Sequence, residues 1–195
     1  MVRLSTALIL SLWLPLLPLA WAARQGSEVP PVRSVPAVDL KRYAGTWYEL
    51  ARLPNRFQSD CARDVTARYE PLADGGVRVT NRCRTLEGEV KTAEGLAVPT
   101  DRSNARLKVS FLPGWLKRLP GARGDYWVVL LDPQYRWAVV SEPRRENLWV
   151  LARSPALPPQ ELARIVDTLA GRGYPTDRLL LTPHDAADLS HAAGY

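Results

Sequence analysis

Between residues 46 and 153, apolar and polar side chains alternate in short runs, and turn-forming residues separate the runs at near-regular spacing. A period of two sends successive side chains to opposite faces of a strand. Several short strands in succession, each bounded by turn residues, build a sandwich or a barrel. The pattern predicts strand A over 46–52 and B over 63–71. A turn at 73–76, carrying Asp74-Gly75-Gly76, leads into C at 77–84. Strand D covers about 89–97 and ends at Val98-Pro99-Thr100-Asp101. Strands E, F, G and H follow at 105–111, 126–131, 136–141 and 148–153. Eight antiparallel strands can close on themselves, which removes exposed edges and leaves an interior wide enough for one small ligand.

After strand H the period changes. Pro158-Pro159 pre-set a helix start, and Leu162, Ala163, Ile165, Val166, Leu169 and Ala170 fall on one face at helical spacing. Gly171 and Gly173 end it, and a short ninth strand at 179–181 follows. A helical turn is also expected at 38–43, just ahead of strand A. The expectation is an all-β, eight-stranded antiparallel up-and-down barrel with one C-terminal α-helix.

The ends of the chain differ from this middle. Arg3 followed by the apolar run Leu4–Leu19 and the small-x-small site Ala20-Trp21-Ala22 has the form of a secretory signal peptide over 1–22. Residues 23–37 carry Pro30, Pro31 and Pro36 with little periodicity and are expected to form a flexible linker. The barrel unit is expected over 38–182 and a small polar tail over 183–195. No cysteine precedes Cys61, so no residue near the signal can carry a lipid anchor. An exported chain, placed in the periplasm and in contact with the outer membrane, is the expectation.

The formal net charge is +6, with basic residues scattered among acidic ones. This describes a solvated surface that favours anionic membranes, not a nucleic-acid footprint, and no nucleic-acid motif accompanies it. Two cysteines, Cys61 and Cys83, in an exported chain suggest one disulfide, with two buried thiols as the alternative. In a regular hairpin Cys83 would face residue 66, roughly 17 Å along the strand from Cys61. A bond therefore requires Cys61 to fold back through a loop or bulge.

The run Asp39-x-x-Arg42-Tyr43-x-Gly45-x-Trp47-Tyr48-Glu49 resembles the opening signature of the lipocalins, small β-barrels that hold apolar ligands. Asp132-Pro133-Gln134-Tyr135 is similar to the family's second motif on the F–G turn. Arg153, ending strand H, matches the third. Counting strands up and down puts Gly45, Trp47, Asp132, Tyr135 and Arg153 at one end of the barrel, the closed end. The resemblance implies that Arg153 packs over the Trp47 ring. It spans 38–182 and looks most like the bacterial lipocalins called Blc, with apolipoprotein D and the plant temperature-induced lipocalins as similar relatives. It implies binding of fatty acids or lysophospholipids in the cell envelope, for membrane maintenance.

With Trp47 pointing into the base, alternation sends Glu49 and Ala51 inward, and with Arg153 over the base, Leu151 and Trp149 share its face. On strands B, C and E the inward sets are Ala67 and Tyr69; Val79 and Asn81; Leu107, Val109 and Phe111. The expected cavity is apolar with Glu49, Tyr69 and Asn81 as polar points, which suits an acyl chain. The loop 112–124 places Trp115 and Leu116 beside Lys117 and Arg118 at the open end. That composition suits either docking on a membrane surface or folding over the barrel's own mouth.

Catalysis has little to stand on in these residues. His184 and His191 sit in the tail with no cysteine or acid cluster at metal spacing, so no metal site is expected. No nucleophile elbow or phosphate loop occurs, and no cofactor is implied. The competing functions are a binder of a pigment or another small hydrophobic ligand, a thiol-dependent lipocalin-type enzyme, and a ligand-free interaction protein.

Overall fold

Strand β1 (Gly45–Arg52) hydrogen-bonds to β2 (Arg63–Pro71) on one side and to β8 (Leu148–Ala152) on the other, and this closes the barrel. Between them β3 (Val77–Arg84), β4 (Val90–Pro99), β5 (Arg106–Ser110), β6 (Gly124–Leu131) and β7 (Trp137–Ser141) pair in sequence order, each antiparallel to the last. The molecule is seen in a computed structural model that describes residues 29–114, 116 and 122–185. The expected signal segment, the first part of the linker and the tail from 186 lie outside the described residues.

The strands predicted from alternation agree with those observed to within about two residues, because a closed barrel imposes the period of two on every strand. Helix α1 (Leu40–Tyr43) precedes β1, and its N-terminus is capped by the Asp39 carboxylate, which accepts from the amides of Lys41 and Arg42. Helix α2 (Pro159–Gly171) packs on the outside of the wall through Ile165 and Leu169. Its buried stripe is narrower than the sequence suggests, since Ala163 and Ala170 face solvent. Gly173, at φ +76°, takes the left-handed conformation that ends the helix. There are thus two cores. One fills the closed half of the barrel around Trp47, and the other lies between the wall and α2.

The described part of the proline-bearing segment is tied down. Val35 N–H donates to Val128 O at 2.8 Å, Val38 N–H to Ser103 O at 2.7 Å, and Val32 and Val35 pack on the two cores. Proline spacing predicts an extended, flexible linker over 23–37 and says nothing of docking; these contacts add that its described part lies against the barrel.

Cys61 and Cys83 are bonded, with Cα atoms 5.6 Å apart. The required fold-back is a bulge: Arg63 opposes Arg84 and Thr66 opposes Arg82, so β2 carries one extra residue, and Asp64 there adopts φ +52°. Pairing of β1 with β2 stops at Tyr48 and Thr66. The chain after the short β9 (Leu180–Leu181) seals the gap, with Thr182 N–H donating to Leu50 O and Asp64 N–H donating to Pro183 O.

Candidate functional site

The strand directions put the motif residues together at the closed end. Trp47 is fully buried and its indole N–H donates to Tyr43 O at 2.8 Å. The Arg153 guanidinium lies 3.9 Å from the Trp47 ring centroid and donates to Thr46 O and Arg42 O. Gly45, at φ +94°, lets the backbone pass beneath it, since a Cβ there would sit 3.3 Å from Arg153 Nη1. Tyr135, at φ +61°, accepts from Asp39 N–H, and Asp132 holds the β6–β7 turn by accepting from the amides of Gln134 and Arg136.

Above this base a cavity of about 100 Å³ opens toward the other end. Glu49, Ala67, Tyr69, Val79, Asn81, Val109, Phe111, Trp149 and Leu151 line it, as alternation predicts. Ala51 does not. The register of β1 against β8 shifts between Glu49 and Ala51, so the bulge at Leu50 reverses the faces and turns Ala51 into the core under α2. Leu107 lies lower, in the closed-end core beside a small void of about 10 Å³.

Arg52 takes the inward position that Ala51 lost. Its Nη1 donates to Glu49 Oε1 at 2.8 Å and its Nη2 to Cys61 O at 2.9 Å. Thr182 Oγ1 also donates to Glu49 Oε1, at 2.6 Å. Gln58 completes this network: its amide donates to Glu49 Oε2 at 2.6 Å, and its carbonyl accepts from the Trp149 indole at 2.6 Å. Every oxygen of the buried carboxylate therefore has a donor, which is the condition for keeping such a group inside an apolar barrel.

Two phenols, Tyr69 and Tyr126, line the floor of the cavity, and Tyr43 lies behind them. Tyr43 and Tyr126 hydroxyls lie 2.9 Å apart, and Tyr126 donates to Tyr69 at 2.9 Å. Burial pushes the Tyr69 phenol up to about 12 and raises Tyr43 and Tyr126 well above the ordinary value, so all three are neutral donors.

Sequence alternation did not find Gln58, Val65, Thr66, Asp125, Tyr126 or Val140, which also line the cavity. Gln58 had a signal: Asn55-x-x-Gln58 has the spacing of a helix cap, and Asn55 Oδ1 does accept from the amides of Phe57 and Gln58. Val65 and Thr66 are adjacent and both line the space because of the β2 bulge. At the open rim Phe57, Leu86 and Leu112 stand 68%, 86% and 42% exposed, one on each of three loops. Of the expected docking residues, Trp115, Lys117 and Arg118 lie outside the described residues, and Leu116 is half-buried.

A lipocalin-like domain model matches residues 38–184. The chain belongs to the lipocalin family. Temperature-induced lipocalin-1 of Arabidopsis thaliana is 34% identical over 160 residues, covering 80% of this chain and 85% of that protein. Outer membrane lipoprotein Blc of Escherichia coli is 35% identical over 176 residues, covering 85% of this chain and 95% of that one. Among solved structures, insecticyanin from the tobacco hornworm Manduca sexta superposes with a TM-score of 0.64 over 83% of this chain and 89% of its own, at 18% identity. This lipocalin shares the closed barrel with its relatives, and its motif residues gather at the closed end.

Proposed function

We propose that this lipocalin binds fatty acids or lysophospholipids in its barrel and carries or stores them in the bacterial cell envelope, for membrane maintenance, without catalysis. The observation that carries the proposal is the blind, largely apolar cavity, closed below by the Trp47 cluster and open above. An acyl chain fits such walls, and a headgroup would remain near Gln58 and the mouth. The kinship with Escherichia coli Blc, whose name places it at the outer membrane, supports the envelope setting. The apolar tips Phe57, Leu86 and Leu112 ring the mouth, with the Arg56 guanidinium 5.2 Å from the Phe57 ring, a composition suited to transient contact with an anionic membrane.

A thiol-dependent enzyme is disfavoured by the bonded pair, since the chain has two cysteines and both are in the Cys61–Cys83 disulfide. A barrel serving a pigment or another small hydrophobic ligand, and a ligand-free interaction protein, are the remaining alternatives. Mass spectrometry of lipids extracted from the protein purified out of its own envelope separates them. Single-chain lipids in near-stoichiometric amount are expected; a pigment, or no lipid above the level of a control protein, contradicts the proposal.

A further inference from the structure

The phenol chain on the cavity floor has a direction. Each phenol carries one proton. Tyr126 spends its proton on Tyr69, so the hydrogen bond between Tyr43 and Tyr126 must be donated by Tyr43. The chain therefore runs Tyr43 to Tyr126 to Tyr69, and the Tyr69 proton is left over. No acceptor among the described residues takes it. The nearby Glu49 carboxylate accepts from Arg52, Thr182 and Gln58, and no bond runs to it from Tyr69. Tyr69 lines the cavity, so its spare donor is at the disposal of whatever fills the space.

The charge of the lining narrows the choice of partner. Its described residues include the carboxylates Glu49 and Asp125 but no lysine, arginine or histidine. An ionised group at the floor would find no cation in the lining, since Arg52 and Lys108 are paired with Glu49 and Asp125, whereas a neutral oxygen meets a donor. An unsubstituted alkyl chain would expel water and leave the Tyr69 proton stranded, and a stranded buried donor costs more than a made hydrogen bond returns.

We infer that the cavity selects lipids whose enclosed chain carries a neutral, hydrogen-bond-accepting oxygen, such as a hydroxyl or a ketone, and that Tyr69 donates to it. This rests on the lipid-binding role proposed above and refines it: the head stays at the mouth, and the chain is read at the floor. A site built to bond an oxygen rejects the analogue that lacks it more strongly than an apolar site rejects a misfit of shape.

The test titrates the full protein with stearic acid and with a set of stearic acids in which one hydroxyl is moved along the chain. Wild type should bind one or two neighbouring positional isomers about fivefold or more tighter than stearic acid, the value of one net hydrogen bond. Tyr69→Phe should abolish the preference while binding stearic acid as well or better. Tyr174→Phe, whose ring packs under α2 and does not line the cavity, should retain the preference, and should Tyr69→Phe fail to fold, the presence or absence of a positional preference in wild type is the second readout. Octadecanedioic acid, with a second carboxylate at its far end, should bind more weakly than stearic acid. Binding of stearic acid with no preference at any hydroxyl position, or a preference that survives in Tyr69→Phe, overturns the inference and leaves the lipid role standing. Absence of binding by every acid overturns both.

Discussion

The Gln58 amide oxygen accepts from the Trp149 indole at 2.6 Å, which ties the loop after β1 to the neighbouring strand β8. The same amide donates to Glu49, so one loop side chain holds the loop to β1 and β8 at the cavity wall. Gln58→Ala should remove both bonds, lower stability by about 1 to 2 kcal/mol and let bound lipid leave several-fold faster. Stopped-flow displacement of a fluorescent fatty acid measures this. An unchanged dissociation rate would mean that the loop does not control the mouth.

The closed end offers a comparison of two partners. Trp47→Ala empties the most deeply buried aromatic position and should cost about 3 to 5 kcal/mol. Arg153→Ala removes a cation over the ring and two hydrogen bonds at a partly exposed site, and should cost about 1 to 3 kcal/mol. Denaturant midpoints rank them; a larger loss for Arg153→Ala contradicts these roles.

Alkaline pH should unfold the barrel from its floor. A phenol whose pKa is raised on folding contributes stability that is complete below its unfolded value of 10.0 and is lost as pH rises through its folded value, about 12 for Tyr69. Stability should therefore be flat up to pH about 10 and fall between about 10 and about 12. Tyr69→Phe should flatten that decline. Denaturant titrations across the range check it, and an equal decline in the variant would remove Tyr69 as a cause.

The apolar rim should act only on membranes. Phe57→Ser together with Leu112→Ser should weaken co-sedimentation with anionic vesicles, and raised salt should weaken it further by screening. Affinity for a dispersed, soluble ligand should stay nearly constant, because neither side chain lines the cavity. Equal co-sedimentation of wild type and variant at low salt would leave the rim without a docking role.

The sequence carried the barrel well because closure forces alternation, and Trp47, Glu49, Leu151 and Trp149 face where a period of two sends them. It failed where the period is broken. One extra residue at Leu50 turned Ala51 away and brought Arg52 in, and no propensity of Leu50 announces that bulge. Gln58 reaches the cavity from a 3₁₀ turn, and alternation has no rule for turns. The Cys61–Cys83 bond was legible in part: strand counting showed that a fold-back was needed, and the β2 bulge supplies it. The tyrosine chain joins three elements far apart in sequence, so its hydrogen bonds could be seen only once the barrel had closed.

The cavity above the phenols is where the lipid is proposed to sit. Asn81 lines it from β3, and an indole at that position would fill much of a space of about 100 Å³. Titration of wild type and Asn81→Trp with a fluorescent fatty acid, with lysophospholipid as competitor, tests it most directly. Wild type should bind one-to-one with saturation, and Asn81→Trp should lose at least about tenfold in affinity, with the melting temperature little changed. Saturable binding of equal strength in both proteins, or none in a folded wild type, would contradict it.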